Sequence, residues 1–248
     1  MKLNELLNII SLTAKENKLS TPYLVGGFPR DVFLKKIDNI NDIDITCGDA
    51  SSLTLGQQIV KKIDQSMLTT YSDGHSKLVY ENFNIDFSSS FRVPNIMNIL
   101  KSKNIINPSP MDQEIYSRDF TINTLLMPLD LSTIIDTTNL AIKDLNNKIL
   151  DTCLEPEITL KSDPRRIVRI IYLCIKLEFF PSQRLSSWVQ NNAKLITEVD
   201  EDYVKQKINK AFTLNSSKSY KLLKHLNLWS YIPHTRVITD YLAISGAL

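Results

Sequence analysis

The chain has 248 residues, 43% hydrophobic and 23% charged, which is within the ordinary range of soluble globular proteins, and its net charge of +2 is too small to predict a polyanionic partner. Its three widely separated cysteines argue against a disulfide framework or a zinc site of paired cysteines. Without a targeting segment or an apolar run of membrane length, we expect a cytoplasmic protein with no membrane partner.

The first half of the chain predicts a mixed α/β unit. An amphipathic helix is expected over residues 3–19, where apolar residues recur at helical spacing. A short strand over Tyr23–Val25 runs into two glycines, and the next helix is expected over residues 30–36. Apolar residues over 43–45 and 79–87 alternate along the chain and predict further strands of the same sheet.

Beyond about residue 137 the pattern changes to helical runs separated by short polar links. A turn is expected at Ser216-Ser217. We expect helices over residues 165–179, 185–196, 203–212 and 219–226. The chain is therefore predicted to divide into a first domain, 1–137, and a helical domain, 138–248.

The end of the first predicted strand has the residues of a phosphate-binding turn. Gly26 and Gly27 lie between that strand and a helix that carries Arg30. Glycine lets backbone N–H groups approach phosphate oxygens, the helix start adds a favourable dipole, and an arginine can pair with the charge. A glycine pair alone is more often a simple tight turn. This stretch therefore predicts a triphosphate site only together with the one that follows.

Two carboxylates lie on one side of the next predicted strand. Asp42 and Asp44 alternate with Ile43 and Ile45, so the acidic and the apolar side chains point in opposite directions. Hard oxygen ligands suit Mg²⁺, which can bridge carboxylates to nucleotide phosphates and lower the pKa of an attacking hydroxyl. An isolated Asp-x-Asp is more often a solvated strand face. Following two glycines and an arginine, it predicts a catalytic metal site.

The order of these motifs resembles the tRNA CCA-adding nucleotidyltransferases and bacterial poly(A) polymerases of the polymerase-beta-like superfamily. Their pattern Gly-Gly-x-x-Arg-Asp, then Asp-x-Asp, matches residues 26–31 and 42–44. Residues 117–124 resemble their Arg-Arg-Asp-Phe-Thr-Ile-Asn-Ala segment, and residues 162–169 resemble their Glu-Asp-x-x-Arg segment. The resemblance implies an α+β fold. A small nucleotidyltransferase head with a mixed or antiparallel sheet precedes an all-α neck and a shortened body, without the full body and tail of typical relatives.

The resemblance also implies roles for residues outside the first motif. Arg118 keeps a nucleotide-binding position. Asp163 and Arg166 hydrogen-bond the base edge of incoming CTP or ATP, and Arg169 supports them. Physically, these last three residues recur at three-residue spacing along one helix face, which is also typical of an exposed ion-pair face.

Three positions leave questions open. Ser117 replaces an arginine of the family pattern, so one cationic contact is missing or supplied elsewhere. Tyr172 stands where the family often has a third arginine on the same helix. Asp86 falls where relatives carry a carboxylate on a neighbouring strand, but a surface position explains it nearly as well. We therefore leave Asp86 out of the predicted catalytic pair.

Together, the residues and the resemblance predict template-independent addition of CMP and AMP to the 3′ end of tRNA, with Mg²⁺ as cofactor and CTP and ATP as substrates. Poly(A) polymerase activity on another RNA 3′ end, or addition of CC or A alone, uses the same motif and stays open. A different class, a catalytically inactive RNA-binding protein, also stays open. The predicted site consists of Asp42 and Asp44 for the metal and of Gly26, Gly27, Arg30, Arg118, Asp163, Arg166 and Arg169 for the nucleotide.

Overall fold

The computed structural model describes residues 1–36, 41–71, 75–88 and 92–245. The α-helices are α1 (Leu3–Glu16), α2 (Gly27–Phe33), α3 (Ser51–Ile59), α4 (Ile96–Ser102), α5 (Pro110–Ser117), α6 (Ala141–Asn147), α7 (Pro156–Ser162), α8 (Arg165–Leu177), α9 (Gln183–Asn191), α10 (Glu201–His225) and α11 (Arg236–Ser245). The strands are β1 (Tyr23–Val25), β2 (Asp42–Thr46), β3 (Met67–Thr70), β4 (Ser76–Tyr80), β5 (Phe83–Ser88), β6 (Met127–Pro128), β7 (Ile149–Leu150) and β8 (Phe180–Pro181). Short 3-10 helices cover Thr121–Asn123, Ala193–Glu198 and Trp229–Tyr231.

Six strands form one mixed sheet in the order β3-β4-β5-β2-β1-β6. Neighbouring strands in it are antiparallel except β2 and β5, which run parallel. Parallel strands need a long crossover connection, and α3, β3 and β4 lie between β2 and β5 in the chain. With helices after the sheet, the predicted α+β class is confirmed.

The sheet is held by the apolar side of its central strands. On β5, Phe83, Ile85 and Phe87 are at most 6% exposed, and on β2, Ile43 and Ile45 are at most 1% exposed. Helix α1 adds its own apolar face to the same cluster. Burying one such side chain contributes about 1.5–3 kcal/mol relative to leaving it in water. A shift of one residue in either strand would turn this set towards solvent, so the core fixes the register.

The chain forms two compact units, Met1–Lys143 and Asp144–Leu248. The second unit is helical apart from the two-residue strands β7 and β8, which pair in parallel. The domain boundary predicted near residue 137 stays a prediction. Among the described helices, none is long and apolar enough to cross a membrane.

Several predicted helix boundaries are wrong. The helix expected over residues 3–19 ends at Glu16, and the one expected over 185–196 is α9 (Gln183–Asn191) followed by the 3-10 helix Ala193–Glu198. The helix expected over residues 30–36 is α2, which already begins at Gly27 because a proline fits its first turn, and which ends at Phe33. The two helices expected over 203–212 and 219–226 belong to one element, α10, which is interrupted at Asn215 (φ −162°, ψ 97°). The Asn215 side chain accepts a hydrogen bond from the backbone N–H of Lys218 at 2.9 Å. Asn215 therefore caps the second half of α10, one residue before the expected Ser-Ser turn.

The sequence pattern gave no prediction for α3, α4, α5 or α7. These helices have seven to nine residues, too few for a clear apolar period. One of them does carry a start signal: Ser109 and Asp112 form a capping box around Pro110 at the start of α5. This helix positions a functional side chain described below.

Candidate active site

Strand β2 carries two carboxylates on one face. Asp42 is exposed and Asp44 is half-buried, whereas Ile43 and Ile45, which alternate with them, are buried. Asp44 is paired on both sides, with Val25 of β1 and Asp86 of β5, whereas Asp42 at the start of β2 is paired with Asn84 of β5. The Asn84 amide donates to Asp42 at 3.0 Å. Two acidic side chains, two residues apart on β2, therefore point to the same side of the sheet.

The turn after β1 brings Gly26 against Asp44. The register of β1 and β2 pairs Val25 with Asp44, and Gly26 follows with a φ of 76°, in the left-handed region that favours glycine. A Cβ built on Gly26 lies 2.5 Å from Asp44 Oδ2 and 3.6 Å from Arg118 Nη1. A side chain at position 26 would collide with the carboxylate. Three residues from separate sequence motifs thus meet at one point.

Arg118 is held at this point by a buried carboxylate. Glu114, which is 4% exposed, accepts from Arg118 Nη2 at 3.1 Å and from Ser88 Oγ at 3.2 Å through Oε1. Its other oxygen accepts from the Thr46 hydroxyl. Ser88 and Thr46 end β5 and β2, so Glu114 ties the ends of both strands to Arg118. Glu114 was not predicted from the sequence, although a glutamate four residues before an arginine on a helix indicates an ion pair.

Arg30 lies beneath the glycine turn. It is 4% exposed, and its Nη1 donates to Asn123 Oδ1 at 2.6 Å while its Nε donates to Asp31 at 2.8 Å. Asn123 in turn donates to Asp119 at 3.0 Å. A Cβ built on Gly27 lies 3.3 Å from Arg30 Nη2. Arg30 therefore joins α2 to the 119–123 segment and places its positive charge close to the backbone of the turn.

Asp86 is a third carboxylate beside the pair. In the sheet register it lies opposite Asp44 on one side and opposite Lys77 on the other. Burial raises the pKa of the Asp86 carboxyl above its usual value, Lys77 and His75 act to lower it, and the negative charge of Asp42 acts to raise it. Asp86 is thus close enough to Asp42 for the charge of that carboxylate to raise its pKa.

The acidic pair fits a magnesium ion by its chemistry. In proteins, Mg²⁺ commonly binds one or two carboxylates and completes its shell with water and phosphate oxygens. Asp42 and Asp44 supply such a pair, and the absence of a side chain on Gly26 keeps the space beside Asp44 Oδ2 open. Within residues 1–36, 41–71, 75–88 and 92–245, no group of three or more His, Cys, Asp or Glu side chains is arranged to hold a metal ion.

The residues predicted to read the base lie in the second unit. Asp163 accepts from Arg165 Nε at 2.8 Å and Nη2 at 3.0 Å. Arg166 is 6% exposed and donates to the carbonyl of Thr159 at 3.2 Å. Arg169 is half-buried one turn later on α8. Asp163 and Arg166 thus form part of the junction between α7 and α8, and their base-reading role stays a prediction.

Residues 22–151 match the family model described as the poly(A) polymerase head domain. This match contains the glycine turn, both β2 carboxylates, Glu114 and Arg118. It covers more than half of the chain and ends before the second unit's helices α7 to α11.

Similarity to curated proteins and solved structures extends further. The chain is 22% identical over 188 residues to the CCA-adding enzyme of Lactobacillus helveticus, an alignment that covers 76% of this chain and 45% of that protein. It is 25% identical over 194 residues to the tRNA nucleotidyltransferase cca2 of Schizosaccharomyces pombe, covering 68% of this chain and 38% of that protein. The structure of the Thermotoga maritima CCA-adding enzyme complexed with tRNA shares the fold, with a TM-score of 0.71 and 19% identity over 94% of this chain and 53% of that one. The chain spans about half the length of these relatives, or less.

Proposed function

Because this chain belongs to the poly(A) polymerase head-domain family, together with the tRNA CCA-adding nucleotidyltransferases, we propose that it adds CMP and AMP to the 3′ end of tRNA without a template. The curated proteins that it resembles are named as CCA-adding enzymes and tRNA nucleotidyltransferases. The substrates of the proposed reaction are CTP, ATP and a tRNA that lacks its 3′ end.

One observation carries this proposal. Gly26, Asp44 and Arg118, which are far apart in sequence, meet within a few ångströms on one side of the sheet. A backbone without a side chain, a carboxylate and a guanidinium together supply what a metal-bound triphosphate needs: close approach, a metal ligand and positive charge. A purely structural salt bridge of Arg118 needs neither the glycine nor the carboxylate.

In the proposed reaction, the RNA 3′-hydroxyl attacks the α-phosphate of the nucleotide in line. A bond forms between the 3′-oxygen and the α-phosphorus, the hydroxyl proton passes to solvent, and the bond from the α-phosphorus to the bridging oxygen breaks as pyrophosphate leaves. Asp42 and Asp44 are the residues that would hold Mg²⁺, which when bound stabilises the charge on the phosphates and lowers the pKa of the hydroxyl. The Gly26-Gly27 backbone lets phosphate oxygens come close, and Arg118 offsets their negative charge.

The remaining residues of the predicted set support the same reaction. Arg30 strengthens the positive potential from beneath the Gly27 backbone, while its hydrogen bonds to Asn123 and Asp31 keep the turn in place. Selection of C and A is proposed for Asp163, Arg166 and Arg169, on the basis of the family resemblance described above.

The test is incubation of a tRNA lacking its 3′ CCA with Mg²⁺ and labelled CTP, ATP or both, with product length read on a gel. The proposal expects three additions when both nucleotides are present. An Asp42→Ala/Asp44→Ala variant is expected to add none, whereas the control Asp202→Ala, which removes a carboxylate with 93% of its side chain exposed, should keep full activity.

Other outcomes identify the rival functions. Adenosine tails on varied RNAs would show a poly(A) polymerase, and addition of only CC or only A would show a partial enzyme. RNA binding without any nucleotide incorporation, unchanged in the Asp42→Ala/Asp44→Ala variant, would overturn the enzymatic proposal in favour of a binding protein.

A further inference from the structure

Helices α8 and α10 of the second unit pack against each other, and each carries positive charge and an aromatic ring along one face. On both helices the residues recur at spacings of three and four, which places them in line on one side. We refer to them together as the cationic stripe, which consists of Arg165, Arg169 and Tyr172 on α8 and Tyr203, Lys207 and Lys210 on α10.

Lys207 joins the two helix faces. Its Nζ lies 5.6 Å from the ring centroid of Tyr172 and 5.5 Å from that of Tyr203. At such distances a cation is attracted by the electron-rich ring face, so the two tyrosines hold the ammonium group in place. Tyr172 occupies the position at which the family resemblance expects a further arginine. A lysine from the neighbouring helix therefore restores positive charge at that position.

The cations of the stripe lie close enough to repel one another. Burial lowers the pKa of Lys207, and the charges of Lys210 and Arg169 lower it further. Within the stripe, Arg165 pairs with Asp163 at 2.8 Å, and earlier on α10, outside the stripe, Lys205 pairs with Glu201 at 2.6 Å. Throughout the described part of the chain, no carboxylate lies within ion-pair distance of Lys207 or Lys210. Gathering like charges raises the free energy of the folded chain, and a bound anion offsets that cost.

We propose that the cationic stripe binds the phosphate backbone of RNA, with Lys207 and Lys210 as its main contacts. The rise of α8 from residue 165 to residue 172 is about 10 Å, longer than a single phosphate group, so the stripe can contact several phosphates of one strand. Phosphate contacts of lysine and arginine provide most of the sequence-independent affinity for nucleic acids. This inference rests on the proposed function in one respect, that the ligand is an RNA.

The experiment measures binding of a labelled tRNA lacking CCA by fluorescence anisotropy, without nucleotide and at several salt concentrations. The Lys207→Gln/Lys210→Gln variant is expected to bind roughly 20-fold more weakly at about 0.1 M salt, and the slope of log K against log salt should fall by about 1.4, or 0.7 for each lost phosphate contact. Lys207→Arg, which keeps the positive charge over both rings, is expected to bind RNA as tightly as the original chain.

The matched control is Lys221→Gln/Lys224→Gln, which removes the same charge from the other half of α10. Lys224 also lies over two rings, with its Nζ 5.7 Å from the centroids of both Tyr220 and Trp229. This control is expected to leave the affinity and the salt slope nearly unchanged. An equal loss in both double variants would overturn the proposal, because the effect would then come from net charge alone.

Two further measurements distinguish RNA binding by the cationic stripe from the proposed nucleotide addition. The Asp42→Ala/Asp44→Ala variant should bind RNA as tightly as the original chain. Loss of nucleotide incorporation without loss of RNA binding would therefore support RNA binding by the cationic stripe. Titration with CTP and ATP tests the other source of phosphate. Weaker nucleotide binding with unchanged RNA binding in Lys207→Gln/Lys210→Gln would assign the stripe to the triphosphate, and no RNA binding by the original chain would also overturn the proposal.

Discussion

The two regions that carry the family motifs are held together in different ways. In the first unit, Gly26, Asp44 and Arg118 come from three separate elements, and strand pairing and long-range hydrogen bonds bring them together. In the second unit, Asp163 and Arg166 come from one short segment and bond to groups only a few residues away. The geometry of the first site therefore depends on the space between individual atoms of distant segments. The geometry of the second depends mainly on the junction between α7 and α8. Four variants test this difference, in order of decreasing effect.

Gly26→Ala is the sharpest test of the first region. The new Cβ would lie 2.5 Å from Asp44 Oδ2, and the φ of 76° disfavours any side chain, so we expect a loss of about 1–2 kcal/mol in unfolding free energy. Displacement of the carboxylate by about 1 Å should lower incorporation roughly 100-fold. Gly48→Ala is the control, since it has a φ of 77° and its Cβ would meet Met111 at 2.9 Å. Gly48→Ala should lose a similar amount of stability and much less activity than Gly26→Ala. Equal losses of activity in both variants would show that activity does not depend on the space beside Asp44.

Arg166→Ala tests the second region through stability. Arg166 is buried and donates to a backbone carbonyl, so its loss should cost about 1.5–3 kcal/mol in urea unfolding. Its neighbour Arg165 has a side chain 61% exposed in its ion pair with Asp163, and Arg165→Ala should cost less than about 1 kcal/mol. If both variants lose the same stability, the junction between α7 and α8 does not depend on the buried Arg166 more than on the exposed Arg165.

Glu114→Gln tests the contact that positions Arg118. The substitution keeps the shape but removes the negative charge opposite the guanidinium and replaces one acceptor oxygen by an amide donor. We expect kcat/KM for the nucleotide to fall about tenfold, near 1.4 kcal/mol, with RNA binding unchanged. The control is Glu157→Gln, because Glu157 also pairs with a basic residue four positions later, Lys161, but on the surface. Equal kcat/KM values for Glu114→Gln and Glu157→Gln would contradict the role of Glu114 in positioning Arg118.

Asp86→Asn is expected to give the smallest effect, a change in the pH dependence of stability. The pKa of Asp86 is raised in the folded chain, so the folded state holds the proton more tightly and stability falls as the pH rises from the ordinary aspartate pKa through the raised one. The asparagine variant lacks this titration and should be slightly more stable than the original chain above that range. Urea unfolding between pH 4 and pH 7 checks the sign, and a variant that is less stable throughout would contradict it.

Local patterns were enough for part of the fold and of the site. The alternation of Asp42 and Asp44 with isoleucines is a property of one strand, and it placed both carboxylates on one face before the partner strands were known. The family resemblance is now confirmed by the match over residues 22–151. Short helices and the exact break in α10 were missed, because they depend on capping groups such as Asn215 more than on apolar period.

Other features could not be read from the chain because they arise from contacts between distant residues. Glu114 matters through Ser88 and Thr46, which lie on two other elements. The spacing of Asp163 and Arg166 placed both residues on one helix face, but spacing alone does not show which groups their side chains contact in the folded chain. Asp163 accepts a hydrogen bond from Arg165, and Arg166 is buried and donates to the carbonyl of Thr159 on α7.

The parallel pairing of β2 with β5 also sets an order on folding. The strand with both carboxylates cannot complete its hydrogen bonds until the residues of β5 have been synthesised, because α3, β3 and β4 separate the two strands in the chain. Glu114 and Arg118 come later still, so contacts of high sequence separation dominate this region, which slows folding. On the ribosome, a growing chain therefore carries its acidic pair well before it carries a complete site, and the proposed metal-dependent activity can begin only after the whole sheet has formed.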